Sequence, residues 1–262
     1  MIYVSKYKIS YHGLNFLVRT NMPEGPSIVI LKNLCKPFKG KKIITVTGNT
    51  KIGKERLLEK KITDFKSWGK HFLICFDDFT VRIHFLLFGS YRINEEREVV
   101  PRLSLQFKNG KINFYACSVK FIEEDLNELY DWTADVMSRR WNETSALNKI
   151  KNSDHPVCDI LLDQQIFAGV GNIIKNEVLF RIKVHPLSPA KNLPRKKLKE
   201  LVEEARIYSF DFLKWKKKYV LRKHWLAHTK KTCHRCNIPL KKEYLGKTNR
   251  RTFYCSNCQV LY

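Results

Sequence analysis

The sequence predicts an α+β chain: an antiparallel β half, probed first by strand-type alternation, then a helical half, then a small metal-bound hairpin. Three patterns carry this. Between Phe79 and Ala116 apolar residues recur at every second position, as in half-buried strands. After about Glu123 the apolar spacing lengthens to that of helices. Four cysteines in two CxxC pairs close the chain.

The stretch Met22-Pro23-Glu24-Gly25-Pro26-Ser27 has two readings. By punctuation it is a Pro/Gly loop; by chemistry it is the front of a mature chain that starts at Pro23. An α-amino group has a pKa of about 7.7–8.0, so a free secondary amine there is nucleophilic near neutral pH. Its attack on a sugar aldehyde carbon gives an iminium, a covalent intermediate that splits one hard step into two. Glu24, joined directly to it, can protonate the departing oxygen of the sugar or its base. Residues 1–21 contain Lys6, Lys8 and Arg19 and no acidic residue, with apolar positions too interrupted for a signal-type core. They are expected to be an upstream extension absent from the active form.

Ile28, Leu31, Leu34 and Cys35 fall at helical spacing, so a helix is expected from Ser27 to Phe38, anchoring the nucleophile. Phe79, Val81, Ile83 and Phe85, then Leu103, Leu105 and Phe107, then Ile112, Phe114 and Ala116 read as strands. Asp77-Asp78, Gly89 and Asn109-Gly110 separate them, the last as a hairpin turn. Residues from about 40 to 122 are expected to form two packed sheets. Trp68-Gly69-Lys70-His71 lies between strand-like runs, so Lys70 is either a surface lysine at a turn or a placed cation near Pro23. Leu86-Leu87-Phe88 ahead of Gly89 is either buried or a tip that wedges into stacked bases.

In the helical half, Asp154-His155-Pro156 marks a break, and Leu198, Leu201, Val202, Ala205 and Phe212 share one helix face. Gly169-Val170-Gly171-Asn172 precedes Ile173, Ile174, Val178 and Leu179. That predicts a tight turn, an Asn172 cap and a helix N-terminus pointing its free N–H groups at an anion. Trp132, Trp141, Trp215 and Trp225 are expected in the core, and His84 on a polar face. Cys35, Cys75, Cys117 and Cys158 stand singly and read as small buried apolar residues. Cys233, Cys236, Cys255 and Cys258 are spaced to place four thiolates on one structural zinc ion in a reducing cytoplasm, with a β-hairpin between the pairs. Lys247, Arg250 and Arg251 sit on that hairpin, as a solvated face or a cationic tip.

The formal charge is +24, and residues 181–262 hold 22 Lys/Arg against 5 Asp/Glu. Such a footprint fits a polyanion. No apolar run reaches the roughly 18 residues that span a bilayer, so nucleic acid is the expected partner, and a membrane is not.

Taken together, Met22-Pro-Glu-Gly-Pro, Gly69-Lys70, Gln165-x-x-x-Gly169-x-Gly171-Asn172 and Arg250-x-Thr-Phe-Tyr-Cys255-x-x-Cys258 resemble the formamidopyrimidine-DNA glycosylase and endonuclease VIII family, from Met22 to the C-terminus. The resemblance implies a β-sandwich catalytic domain (22–140), a helix-two-turns-helix domain (141–228) and a zinc ribbon (229–262), with damaged DNA in the cleft between them. It implies a DNA glycosylase with abasic-site lyase activity in base excision repair, monomeric, cytoplasmic and nucleoid-associated in the bacterial manner, with no nucleotide cofactor. By the same resemblance Pro23 is the Schiff-base nucleophile on C1′ and Glu24 the general acid. Lys70 contacts phosphate and assists β-elimination, Arg250 grips phosphates and is associated with δ-elimination, and Asn172 binds phosphate. Leu86, Leu87 and Phe88 fill the void left by the extruded base. Ser27 stands where the family usually has a second glutamate. The Leu-Leu-Phe wedge, the opening motif and the short Trp225 to Cys233 connection favour the endonuclease VIII branch and oxidised pyrimidines over purines. The rival expectation is a zinc-ribbon nucleic-acid-binding protein without catalysis.

Overall fold

Residues 23–262 are described by a computed structural model; Met22 and the expected 1–21 extension lie outside the described residues. The helix behind Pro23, α1 (Gly25–Cys35), starts two residues earlier than its spacing suggested, because Pro26 suits a first turn, and it runs into a 3₁₀ turn at Lys36–Phe38. Ile28, Leu31 and Cys35 are buried, whereas Leu34 turns outward.

The alternating runs form β1 (Thr45–Thr47), β2 (Asp64–Trp68), β3 (His71–Cys75), β4 (Thr80–Ile93), β5 (Leu103–Phe107) and β6 (Gly110–Ile122). All pair antiparallel in the order β1-β5-β6-β4-β3-β2. The two expected sheets are therefore two halves of one hydrogen-bonded sheet folded on itself. Phe72 pairs with Ile83, which pairs with Val119, five residues along β6 from Phe114. On a flat sheet Phe72 and Phe114 would stand about 19 Å apart; their ring centroids are 5.9 Å apart.

The fold occurs at a bulge. Phe85 pairs with Cys117 and Ser90 with Tyr115, so Leu86 through Gly89 face only Ala116. Ala116 takes a left-handed φ of 47° and shifts the phase of β6. Ile112 and Phe114 are buried before it, Cys117 and Val119 after it, and Ala116 itself is exposed rather than on the buried face. Gly89, expected to end the strand, lies within β4.

The helical half comprises α2 (Leu126–Leu129), α3 (Glu143–Ile150), α4 (Val157–Ile160), α5 (Asn172–Arg181) and α6 (Arg195–Lys217). The expected face of α6 is buried from Leu198 to Phe212 against α5 and α3. Trp225 is buried, while Trp132, Trp141 and Trp215 pack at the margins of the core. The four single cysteines are buried as expected. A final hairpin, β7 (Lys241–Leu245) and β8 (Arg250–Tyr254), packs on α5 through Phe180, Phe253 and Cys255.

Candidate active site at the seam between sheet and helices

Glu24 caps the backbone start of α1, yet its side chain turns away from that helix and crosses to α5. The carboxylate accepts from Gly171 N at 3.2 Å, Ile173 N at 2.7 Å and Ile174 N at 3.2 Å. The group that fills the N-terminus of α5 is thus the Glu24 carboxyl itself. This corrects the expected phosphate at those N–H groups: they are occupied from within the chain. Gly171, not Asn172, is the cap, and Asn172 is the first helical residue.

Two glycines make the approach possible. A Cβ on Gly171 would lie 2.5 Å from the Glu24 carboxyl carbon. Gly25 donates to Gly169 O at 2.8 Å, and a Cβ on Gly25 would stand 2.9 Å from the Gly169 Cα. The seam is completed by buried Asp135, which accepts from Gly69 N and Met137 N and so holds the turn that carries Lys70.

Lys70 sits between β2 and β3, the partly buried turn position the sequence left open, and within electrostatic reach of both Glu24 and Arg250. Burial raises the Glu24 pKa above the usual carboxylate range, with Lys70 and then the three amides opposing. Burial likewise lowers the Lys70 pKa, Glu24 opposing and Arg250 adding. A carboxyl shifted upward beside an amine shifted downward is the polarity that acid and base roles require. Pro23, half-buried, directly precedes Glu24 in the chain. Lys216 of α6 reaches the same helix turn and donates to Ser27 Oγ at 2.8 Å.

Arg250 opens β8 and is exposed. Its hairpin is fixed from three sides. Asp159 accepts from Lys247 N at 2.8 Å, Thr248 N at 3.1 Å and Thr248 Oγ1 at 2.8 Å. Three consecutive buried polar residues of α5 hold its root: Lys175 donates to Thr252 Oγ1 at 2.7 Å, and Asn176 Oδ1 accepts from Phe253 N. Glu177 accepts from the backbone N–H groups of Leu226, Ala227 and His228. Asn172 Nδ2 donates to Arg251 O at 2.8 Å, which leaves its Oδ1 buried without a partner among the described residues. The sequence pointed to none of Lys175, Asn176, Glu177, Asp135, Asp159 or Lys216; the only signal was a polar triplet interrupting the apolar run of α5.

The four paired cysteines converge, with all Sγ atoms within 4.8 Å of one another. A tetrahedral metal with bonds of about 2.3 Å to sulfur requires sulfurs about 3.8 Å apart, and Cys233 Sγ and Cys258 Sγ are 3.8 Å apart. Asn257 Nδ2 donates to Cys236 Sγ at 3.3 Å, an outer-shell contact of the kind metal thiolates keep. These residues can bind one metal ion.

Leu86, Leu87 and Phe88 are 54%, 51% and 77% exposed, so burial does not explain them. They protrude from the bulge beside a groove of about 460 Å³ lined by Asn49, Leu86, Val100 and Arg102.

Comparisons with known proteins agree with this architecture. The formamidopyrimidine-DNA glycosylase N-terminal domain matches residues 22–121 and the formamidopyrimidine-DNA glycosylase H2TH domain matches 133–208. Endonuclease 8-like 2 of Bos taurus is 34% identical over 195 residues, 68% of this chain and 58% of its own length. Endonuclease 8-like 3 of Mus musculus is 32% identical over 201 residues, 73% of this chain and 33% of its own. The chain thus spans between a third and three fifths of the length of these relatives. Lactococcus lactis formamidopyrimidine DNA glycosylase, solved non-covalently bound to DNA containing an AP site, superposes with a TM-score of 0.80 at 22% identity. The match covers 90% of this chain and 99% of that one. With two family domains matched in order and a relative 34% identical over 68% of the chain, the chain belongs to the formamidopyrimidine-DNA glycosylase and endonuclease VIII family.

Proposed function

We propose that the chain is a bifunctional DNA glycosylase and abasic-site lyase of base excision repair, acting on oxidised bases with pyrimidines ahead of purines. The observation that carries the proposal is the buried Glu24 carboxyl, clamped by three α5 amides beside Pro23 and facing Lys70.

In this reading the active form begins at Pro23. As an internal residue its nitrogen is an amide with no lone pair to donate; as a terminus it is a secondary amine. The damaged nucleotide is extruded at a cost of a few kcal/mol, and the exposed Leu86, Leu87 and Phe88 fill the gap it leaves. The Pro23 nitrogen bonds to C1′ as the C1′–base bond breaks, its N–H proton passing to the departing base, and Glu24 gives its own proton to the ring oxygen as the sugar opens to the iminium. Lys70 then takes a proton from C2′, expelling the 3′ phosphate by β-elimination. Arg250, at the rigid hairpin tip, neutralises the flanking phosphates through that step and the δ-elimination that follows. Hydrolysis of the iminium frees Pro23. Phosphate contacts by Arg250, Lys70 and Asn172 position the strand without reading sequence, which suits a repair enzyme.

The donor set supports zinc in the cysteine site: four thiolates leave no open position, so the ion holds the hairpin's shape and takes no part in the reaction. Thiols kept for metal rather than disulfides support a reducing, cytoplasmic setting and action close to the genome, and the chain is proposed to act as a monomer. Damaged DNA is the proposed partner here; the Lactococcus lactis structure of the same fold holds DNA containing an AP site.

The test is reductive trapping. Protein starting at Pro23, incubated with duplex DNA carrying dihydrouracil and treated with borohydride, is expected to yield a covalent protein–DNA adduct and cleaved strand. Tight binding with neither product would replace this reading with the zinc-ribbon binding module.

A further inference from the structure

The β7–β8 hairpin is held to the rest of the chain at two separate places. Its root packs on α5 around Phe180, Phe253 and Cys255. The turn at its other end, residues 246–249, follows Leu245, which packs against the core of the helical half. Arg250 is the first residue after that turn, so whatever places the turn sets where the guanidinium can reach.

Asp159 of α4 grips the turn from outside. It accepts from Lys247 N at 2.8 Å, Thr248 N at 3.1 Å and Thr248 Oγ1 at 2.8 Å, which are all the hydrogen bonds its carboxylate accepts among the described residues. Its neighbours Val157, Cys158 and Ile160 are buried in the helical core, so the carboxylate stands on fixed structure. The turn is shaped to receive it. Gly246 has a φ of 72°, which side-chain-bearing residues rarely adopt, and a Cβ there would run into the Asp159 carboxylate. On the strand side, Lys175 donates to Thr252 Oγ1, which donates in turn to Arg250 O at 2.9 Å. Arg250 is thus framed on both sides by groups of the helical half.

Charge alone argues against an acid in this place. A carboxylate close to a residue that grips phosphate weakens binding to a polyanion, and this chain carries a formal charge of +24 with DNA as its proposed partner. The three contacts supply the offsetting use, since a carboxylate bonds backbone N–H groups more strongly than a neutral acceptor does.

We propose that Asp159 is a positioning residue for the abasic-site reaction, holding the β7–β8 turn so that Arg250 meets the phosphates flanking the opened sugar. It touches no substrate and acts through Arg250. The proposal rests on the glycosylase reading above and names what holds Arg250 in place for the δ-elimination.

The experiment uses metal-loaded, Pro23-initiated protein and duplex DNA carrying a preformed abasic site. Three quantities are read: the ratio of δ- to β-elimination product, the affinity for an uncleavable abasic-site analogue, and the metal bound per chain. In Asp159→Ala the product ratio and the affinity are each expected to fall about five-fold, with metal content unchanged. The sign of the affinity change is diagnostic, because loss of a negative charge by itself would tighten DNA binding. Asp159→Asn, which loses the charge but keeps an acceptor oxygen, is expected to restore most of both. Thr248→Val deletes one of the three contacts at an exposed position and should lower the ratio about two-fold. With Arg250→Ala already present, Asp159→Ala should change the ratio no further.

Tighter binding or an unchanged ratio in Asp159→Ala would overturn the proposal. So would an equal fall in the ratio when Arg250 is absent, or loss of the metal, which would make Asp159 part of the metal module's fold. If Asp159→Ala does not fold, Thr248→Val decides, and an unchanged ratio there overturns the proposal. Failure of the unmutated protein to cleave the abasic duplex would overturn the glycosylase reading itself, a separate result.

Discussion

Two surfaces that meet DNA in this account are built in opposite ways. At the Glu24 seam the polar contacts close within the chain. Three amides clamp one carboxylate, two glycine contacts leave no room for a methyl group, and Asp135 fixes the lysine turn. At the Leu86–Phe88 bulge three large apolar side chains stand in solvent. The contrast separates chemistry from recognition. Groups that must move protons are held rigid before the substrate arrives, which is what electrostatic preorganisation demands. Under the proposed function, the exposed groups that would replace a stacked base await the substrate as their partner.

The sharpest break of that contrast is at the seam. Glu24→Gln keeps an acceptor for the α5 amides but has no proton to give, so excision is expected to fall by 10² to 10⁴ fold, measured as single-turnover base release. Gly171→Ala should match that loss and also lower stability by about 1–3 kcal/mol, since its methyl would overlap the carboxyl. Full activity in either would show the clamp to be incidental.

Removing the metal comes next in size. Chelation, or Cys255→Ser, should loosen the hairpin tip that presents Arg250 and weaken lesion binding ten-fold or more, read by titration of labelled abasic-site analogue DNA. The folded sheet, whose core shares no residue with the hairpin's, is expected to retain its melting transition. If the sheet melts with the hairpin, the two are one cooperative unit.

At the bulge the same logic predicts a loss of function without a loss of stability. Replacing Leu86, Leu87 and Phe88 together by alanine should change stability by no more than about 0.5 kcal/mol, as for surface positions. Excision should fall about ten-fold while cleavage of single-stranded abasic DNA, which has no stack to open, is spared.

How much of this was legible beforehand follows the range of the forces involved. Strand alternation, the α6 face and the CxxC spacing are local, and the corresponding elements formed where expected. The motif residues Glu24, Lys70 and Arg250 also converged. What failed to show was long-range. Gly171 and Asn172 announce a helix N-terminus, and an unoccupied N-terminus invites an external anion. Nothing in a linear reading says that a carboxylate 147 positions earlier already fills it. The buried triplet Lys175-Asn176-Glu177 looks like a solvated stripe until the hairpin is placed over it. Leu86–Phe88 could be read as core or tip, because periodicity cannot reveal that four residues oppose one across the bulge.

The smallest expected effect is a pH signature of the seam. Burial raises the Asp135 pKa from 3.8 to about 6. The native state therefore holds a proton that the unfolded state has released between those values. The associated stability is fully present below pH 3.8 and is lost as pH rises through 6. Across that window the wild type should lose roughly 1–3 kcal/mol relative to Asp135→Asn, read from paired urea titrations at each pH. Parallel profiles would mean that the carboxyl is hydrated.

The central claim is that a free amine at Pro23 attacks the sugar beside a protonated Glu24. Peptide mapping of the borohydride-reduced adduct tests it most directly. The account predicts that the DNA remnant is found on the amino terminus of a peptide beginning at Pro23. A remnant on Lys70 or Lys216, or an adduct formed by a chain that still carries Met1 to Met22, would contradict it.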